Sequence, residues 1–208
     1  MKRISKKIIL ASGSPRRKEL LERLGLQFEV IIPQVEESFD LDIPVFDLVK
    51  KLAMQKALTV AHDQENAIII GADTLGVYRG KILSKPHDDT EAIRILRMLN
   101  GRAHRVITGF TIMDTSNGHV VSDVVETTVY FRKLTLTEIE AYVKTGEPLD
   151  KAGAYAIQGL GALIVDRIEG DYYNVMGLPL SKVAGYLKLF GIKILRQVQE
   201  FKPSAGSC

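Results

Sequence analysis

Short apolar runs alternate with helix-periodic stretches along the first half of the chain. Ile8-Ile9-Leu10-Ala11 has the length of a buried strand. It leads into Ser12-Gly13-Ser14-Pro15, where Ser14 suits an N-cap and Pro15 the first helical position. The helix that follows carries Leu20, Leu21 and Leu24 on one face, and Gly25 can close it. Phe28 to Ile32 reads as a second strand, and Pro44 opens a helix running to about His62. Ala67 to Ile70 reads as a third strand, ending at Gly71-Ala72-Asp73-Thr74. Val77 to Leu83 reads as a hairpin turning at Gly80. Asp88 or Asp89 can cap a helix that turns Ala92, Ile93, Leu96 and Leu99 inward.

The second half has a different rhythm. Arg105 to Asp114 and His119 to Phe131 are strand-like and flank Ser116-Asn117-Gly118, and Asn-Gly between such runs is a hairpin signal. Thr135 with Glu138 spells a capping box for a helix ending near Gly146. A Gly-rich stretch from Asp150 to Gly161 precedes a strand at Leu163 to Ile168. Pro179 to Phe190 reads as the last long helix and Ile192 to Val198 as a final strand. Parallel-type units beside long antiparallel hairpins imply an α/β fold: a mixed, twisted sheet with flanking helices. Two lobes around a cleft fit the size.

Composition narrows the picture. With 208 residues, 46% of them hydrophobic and 25% charged, the chain can build a sizeable core, which excludes disorder and coiled coil. One domain over residues 1–201 with a polar, mobile tail at 202–208 is expected. The net charge of +3 comes without a basic run, so nucleic acid is not an expected partner. Cys208 is the single cysteine, which removes any internal disulfide, Cys zinc site or thiol nucleophile in the core. No apolar run reaches the length of a membrane span. The expectation is a soluble, cytoplasmic protein that engages no membrane.

Some polar residues fall where an ordinary fold does not need them. Ser12, Ser14, Arg16 and Arg17 crowd a strand-to-helix junction, where free N–H groups and the helix dipole favour phosphate oxygens. A plain Ser cap with solvated arginines explains the same residues. Lys56 continues the stripe of Val45, Leu48, Val49 and Leu52, so it pairs, snorkels or faces a polar cavity. Asp73 ends its strand, where α/β sheets bind ligands, although Asp also caps turns there. Glu36, Glu37 and Asp73 together can offer oxygen ligands to Mg²⁺. Lys85 follows the Gly80 hairpin, and Lys151 and Gln158 lie in the Gly-rich stretch; each could equally be a surface lysine or a loop amide. Hydroxyl, Arg, Lys, carboxylate and Gln, without a usable thiol or a Ser-His-Asp order, point to metal-assisted phosphate chemistry.

Leu10-Ala11-Ser12-Gly13-Ser14-Pro15-Arg16-Arg17 with Glu19-Leu20-Leu21 resembles the opening signature of the Maf (septum-formation-like) nucleoside triphosphate pyrophosphatases. Gly71-Ala72-Asp73-Thr74 and Lys85-Pro86 resemble that family's second block. Asp150-Lys151-Ala152-Gly153-Ala154-Tyr155-Ala156-Ile157-Gln158-Gly159 and Gly177-Leu178-Pro179-Leu180 resemble its third. Gly76 and Ser84 depart from the pattern, which more often has a β-branched residue and Gly there. The resemblance implies a fold with two lobes around a deep cleft (Maf/ITPase-like). It implies hydrolysis of a nucleoside triphosphate to monophosphate and pyrophosphate with a divalent cation, Mg²⁺ or Mn²⁺. Thr74 and Gln158 match the dTTP/UTP branch, with modified pyrimidine nucleotides as further substrates to consider. By the resemblance, Asp73 is the proton acceptor, and Glu37 with Asp73 holds the metal. Arg16, Lys56 and Lys85 neutralise the triphosphate, Ser12 and Ser14 cradle a phosphate, and Gln158 with Thr74 reads the base. Two other readings stand beside it: a non-catalytic nucleotide-binding regulator of cell division, and a purine (inosine or xanthosine) triphosphate pyrophosphatase. A homodimer is the expected assembly.

Overall fold

A computed structural model describes residues 6–35 and 43–197. In chain order the elements are β1 (Lys7–Ala11), α1 (Pro15–Glu22), β2 (Glu29–Ile31), α2 (Val45–Ala61), β3 (Ala67–Tyr78), β4 (Lys81–Leu83), α3 (Asp89–Leu99), β5 (Ala103–Asp114), β6 (Val120–Phe131), α4 (Leu136–Val143), β7 (Val165–Glu169), α5 (Tyr172–Met176), α6 (Leu180–Leu187) and α7 (Ile194–Gln197). The fold is mixed α/β, with strand order β2-β1-β3-β5-β6-β7 and β4 paired to β3. No helix among the described residues is long and apolar enough to cross a membrane.

The chain divides into two compact units. The first comprises Met1–Ala72, Gly109–Asp123 and Leu178–Cys208; the second comprises Asp73–Thr108 and Val124–Gly177. In the first, β1 pairs in parallel with β2 and with the opening half of β3, setting Leu10 opposite both Val30 and Ile70. Strands buried on both faces read as continuous apolar runs, which is why Ile68-Ile69-Ile70 shows no alternation. Ile9, Ala57, Val60, Ile69 and Met113 form a core of this unit. Gly71 is required there, because a Cβ on it would stand 2.5 Å from the Ala53 carbonyl oxygen of α2.

In the second unit, the far half of β3 turns at Arg79-Gly80 and pairs antiparallel with β4, Val77 opposite Ile82. Strand β6 pairs antiparallel with β7, Val129 opposite Ile168. The core of this unit gathers Leu96, Leu99, Phe131, Ile139, Ala154 and Tyr155. Helix α3 starts at Asp88, whose side chain accepts from the Glu91 N–H, and α4 starts with the full Thr135/Glu138 capping box.

Three expectations are corrected. Strand β3 does not stop at Ile70; it runs 12 residues to Tyr78, so Asp73 and Thr74 lie inside it. Helix α3 buries Ile95 with Ala92, Leu96 and Leu99, while Ile93 is only partly buried. The stretch after Gly191 forms helix α7, not a strand; its Ile194 is buried and its Leu195 is 83% exposed, a one-sided pattern that the run of apolar residues did not reveal.

Candidate functional site

At the β1–α1 junction of the first unit, the backbone leaves the strand through Ser12-Gly13-Ser14 and enters the helix at Pro15. Ser14 is the N-cap, and its hydroxyl accepts from the Arg17 N–H at 3.5 Å. Ser12 is buried at 4% exposure, and its Oγ accepts from Ser14 N–H and from Arg17 Nη1, both at 3.2 Å. Arg17 is itself only 9% exposed, so its guanidinium braces the junction from inside. Arg16, the arginine expected to meet phosphate, is half-buried. The sequence set the two arginines side by side and gave no ground for separating a buried one from its neighbour. The helix phase supplies one, since Arg17 shares its face with Leu20 and Leu21.

Lys56 lies on the buried face of α2 with Leu52, Ala53, Ala57 and Val60, as the stripe requires. At 9% exposure it is a cation held away from bulk water, a position that normally demands a polar partner.

In the second unit, Asp73 is 6% exposed and flanked in β3 by buried Ala72 and Leu75. Its neighbour Thr74 is half-buried, and the Thr74 and Thr108 hydroxyl oxygens are 3.0 Å apart. Thr108 donates in turn to the Asn174 backbone carbonyl at 2.9 Å. Asn174, fully buried, sits in the short helix α5. Its side-chain amide donates to the Val106 carbonyl and to Thr127 Oγ1, each at 3.0 Å. The Asp171 side chain caps α5 by accepting from the Tyr173 and Asn174 N–H groups. Thr108 and Asn174 escaped the sequence reading because their roles rest on hydrogen bonds between residues far apart in the chain. The only local signal was a buried-type Asn between Tyr173 and Val175.

Lys85 is exposed beyond β4. Gln158 is half-buried at the start of a 3-10 turn, Gly159–Leu163. The loop that carries it is clamped by one carboxylate. Glu147 accepts from the Tyr142 hydroxyl at 2.8 Å and from the Leu160 and Gly161 N–H groups at 3.1 and 2.9 Å. Tyr142 also accepts from the Ala156 N–H. Burial raises the Tyr142 pKa, so its hydroxyl stays protonated and can serve as donor to Glu147. Lys151 turns back on its own loop, donating to the Glu147 carbonyl oxygen at 2.7 Å and pairing with Asp150.

Ser12, Ser14 and Arg17 thus meet in the first unit, while Thr74 and Thr108 meet in the second, the unit that also holds Asp73. Glu37, expected as a metal ligand, lies outside the described residues. Among those described, no group of three or more His, Cys, Asp or Glu side chains could hold a metal ion. Asp73 alone still offers the oxygen chemistry of a Mg²⁺ site, since Mg²⁺ commonly takes one or two protein carboxylates and completes its shell with substrate phosphate and water. A cavity of 360 Å³ in the second unit, with Arg79, Lys81, Arg94 and Arg102 in its wall, includes none of the expected site residues.

A family described as Maf-like protein matches residues 7–190. The chain is 50% identical over 192 residues to a protein of Dictyoglomus turgidum named dTTP/UTP pyrophosphatase, covering 91% of this chain and 99% of that one. It is 53% identical to a protein of that name from Thermoanaerobacter sp., over 91% of this chain and all of the relative. A third of that name, from Bacillus cereus, is 48% identical over 91% of this chain and 98% of its own length. Among solved structures, a nucleoside-triphosphatase titled dITP/XTP pyrophosphatase from Mycobacterium abscessus aligns with a TM-score of 0.39 and 14% identity, over 62% of this chain and 75% of that one.

Proposed function

Because the chain belongs to the Maf-like family, we propose that it hydrolyses dTTP and UTP to the monophosphate and pyrophosphate. The observation that carries the reading is Asp73, a carboxylate kept at 6% exposure inside the buried strand β3. Burying a carboxylate costs several kcal/mol in general (about 2–7 for polar groups alone), and a strand needs no such residue for its own sake. The names of the relatives favour a pyrimidine pyrophosphatase over a purine enzyme or a non-catalytic regulator.

In this reading Asp73 accepts a proton from the water that attacks the α-phosphorus. The electron pair of the attacking oxygen forms the new P–O bond, and pyrophosphate leaves with the bridging oxygen. Ser12 and Ser14, at the positive end of the α1 dipole, bind phosphate oxygens. Arg16, Lys56 and Lys85 offset the negative charge that gathers on the leaving group. Gln158 hydrogen-bonds the pyrimidine edge, with Thr74 beside it. Asp73, with Glu37, would hold a divalent cation, whose chemistry when bound is to neutralise phosphate charge and lower the pKa of water. We extend the proposal to one domain over residues 1–201, a homodimer and a cytoplasmic location.

A nucleotide panel with Mg²⁺ or Mn²⁺, scored for pyrophosphate and orthophosphate separately, tests the reaction. Pyrophosphate with dTMP or UMP is expected. Orthophosphate with a diphosphate would place cleavage at the γ-position and overturn the mechanism.

A further inference from the structure

The segment that carries Gln158 gains little from burial. From Ala156 to Leu163 only Gly161 is buried, and Leu160 and Leu163 are exposed. Hydrogen bonds therefore decide how firmly it is held. Two side chains supply them. On one side of Gln158, the Tyr142 hydroxyl accepts from the Ala156 N–H at 3.2 Å. On the other, the Glu147 carboxylate accepts from the Leu160 and Gly161 N–H groups. The two anchors are joined, since Tyr142 donates to Glu147 Oε1 at 2.8 Å. Their base is fixed as well: the Glu147 N–H donates to Thr145 Oγ1, and the Glu147 carbonyl oxygen accepts from Lys151. The loop is shaped to fit them. A Cβ on Gly159 would stand 2.6 Å from Glu147 Oε2, and one on Gly161 2.9 Å from the Tyr142 hydroxyl oxygen.

We propose that Glu147, joined to Tyr142, is a positioning residue for base selection: it holds the Gln158 segment in its binding geometry before a nucleotide arrives. A loop ordered in advance spends none of the ligand's binding energy on its own ordering. Without the clamp, that cost would fall on the contact between Gln158 and the base. The inference rests on the dTTP/UTP reading and on Gln158 meeting the pyrimidine edge. It adds Glu147 and Tyr142, which act through the loop backbone.

The test measures kcat and KM for UTP and CTP, whose bases match in size and differ at the hydrogen-bonding edge. The proteins are the wild type, Glu147→Gln, Gln158→Ala and the double variant, with a thermal melt of each. Glutamine keeps the shape of glutamate but turns one accepting oxygen into a donor, which cannot take a loop N–H. Glu147→Gln should lower the UTP-to-CTP ratio of kcat/KM about tenfold, the scale of one hydrogen bond, chiefly by raising KM for UTP. Gln158→Ala should lower the ratio too, and the double variant should fall no further than Gln158→Ala alone, because one residue acts through the other. A merely structural role would lower both substrates in step. An unchanged ratio in Glu147→Gln, or losses that add in the double variant, would overturn the inference. Should Glu147→Gln fail to fold, Tyr142→Phe takes its place in the same comparison, and hydrogen exchange in the wild type gives a second decision. Leu160 and Gly161 amides already protected without nucleotide support the clamp; amides that exchange freely without it refute it. If Gln158→Ala leaves the ratio unchanged, the role of Gln158 in reading the base fails, and the inference with it.

Discussion

Replacing Asp73 by Asn removes one charge and almost no volume. If Asp73 accepts the proton of the attacking water, Asp73→Asn should lose at least about a hundredfold in kcat, the usual scale of general-base catalysis, while its melting temperature stays within a few degrees. Near-normal turnover in a folded variant would remove the general-base role. Gln158→Glu exchanges an amide donor for a charged acceptor and should weaken the preference for UTP over other nucleotides; an unchanged substrate ratio would take Gln158 out of base recognition. His104 supplies a pH prediction. It is 3% exposed, its Nε2 lies 2.8 Å from the Tyr155 hydroxyl, and its Nδ1 has no hydrogen-bond partner among the described residues. Burial pushes its pKa down from 6.5 to about 4. Between those values the unfolded chain binds a proton that the folded chain refuses, so stability rises with pH across the window. Urea unfolding should show full stability above pH 6.5 and a loss on the order of 3 kcal/mol as pH falls toward 4. A His104→Phe variant should flatten that part of the profile, and parallel profiles would refute the assignment. Single residues differed in how readable they were. Lys56 stood out because its apolar stripe is local periodicity, whereas Thr108 acquires meaning only from Thr74 and Asn174, 34 and 66 positions away.

The longest misreading concerned an element. Gly71, Asp73 and Gly76 look like breakers, so the strand opening at Ala67 seemed to end at Ile70. Both glycines are there for a tertiary reason. Gly71 lets β3 pass against the backbone of α2, and a Cβ on Gly76 would press the Leu83 side chain at 3.2 Å. Gly109 of β5 does what Gly71 does: a Cβ there would stand 2.6 Å from the Val49 carbonyl oxygen. Gly71→Ala should therefore cost at least about 1–3 kcal/mol, the range typical of overpacking, because the obstacle is backbone rather than a side chain that can turn away. A midpoint in urea equal to the wild type would show that α2 can yield. Capping was far easier to read, since Ser14, Asp88 and Thr135 each act within three residues of their partners. The loop before Gln158 was read as Gly-rich, yet nothing near it announced that Glu147 gathers its N–H groups.

At the scale of the whole molecule, the α/β class followed from alternating periods, but the division into two units did not. The boundaries fall at Ala72–Asp73, Thr108–Gly109, Asp123–Val124 and Gly177–Leu178, and the first three lie inside β3, β5 and β6. Composition does not change at any of them, so no linker marked them. Shared strands should couple the units. Thermal unfolding followed by far-UV circular dichroism and by tyrosine fluorescence is expected to give one coincident transition, and two separated transitions would show units that melt independently. The same interleaving has a consequence for synthesis. The second unit ends at Gly177, while the first still awaits residues from Leu178 onward. On the ribosome the unit that starts first is therefore the one finished last, and its opening strand must wait, half-accompanied, until the final helices leave the exit tunnel.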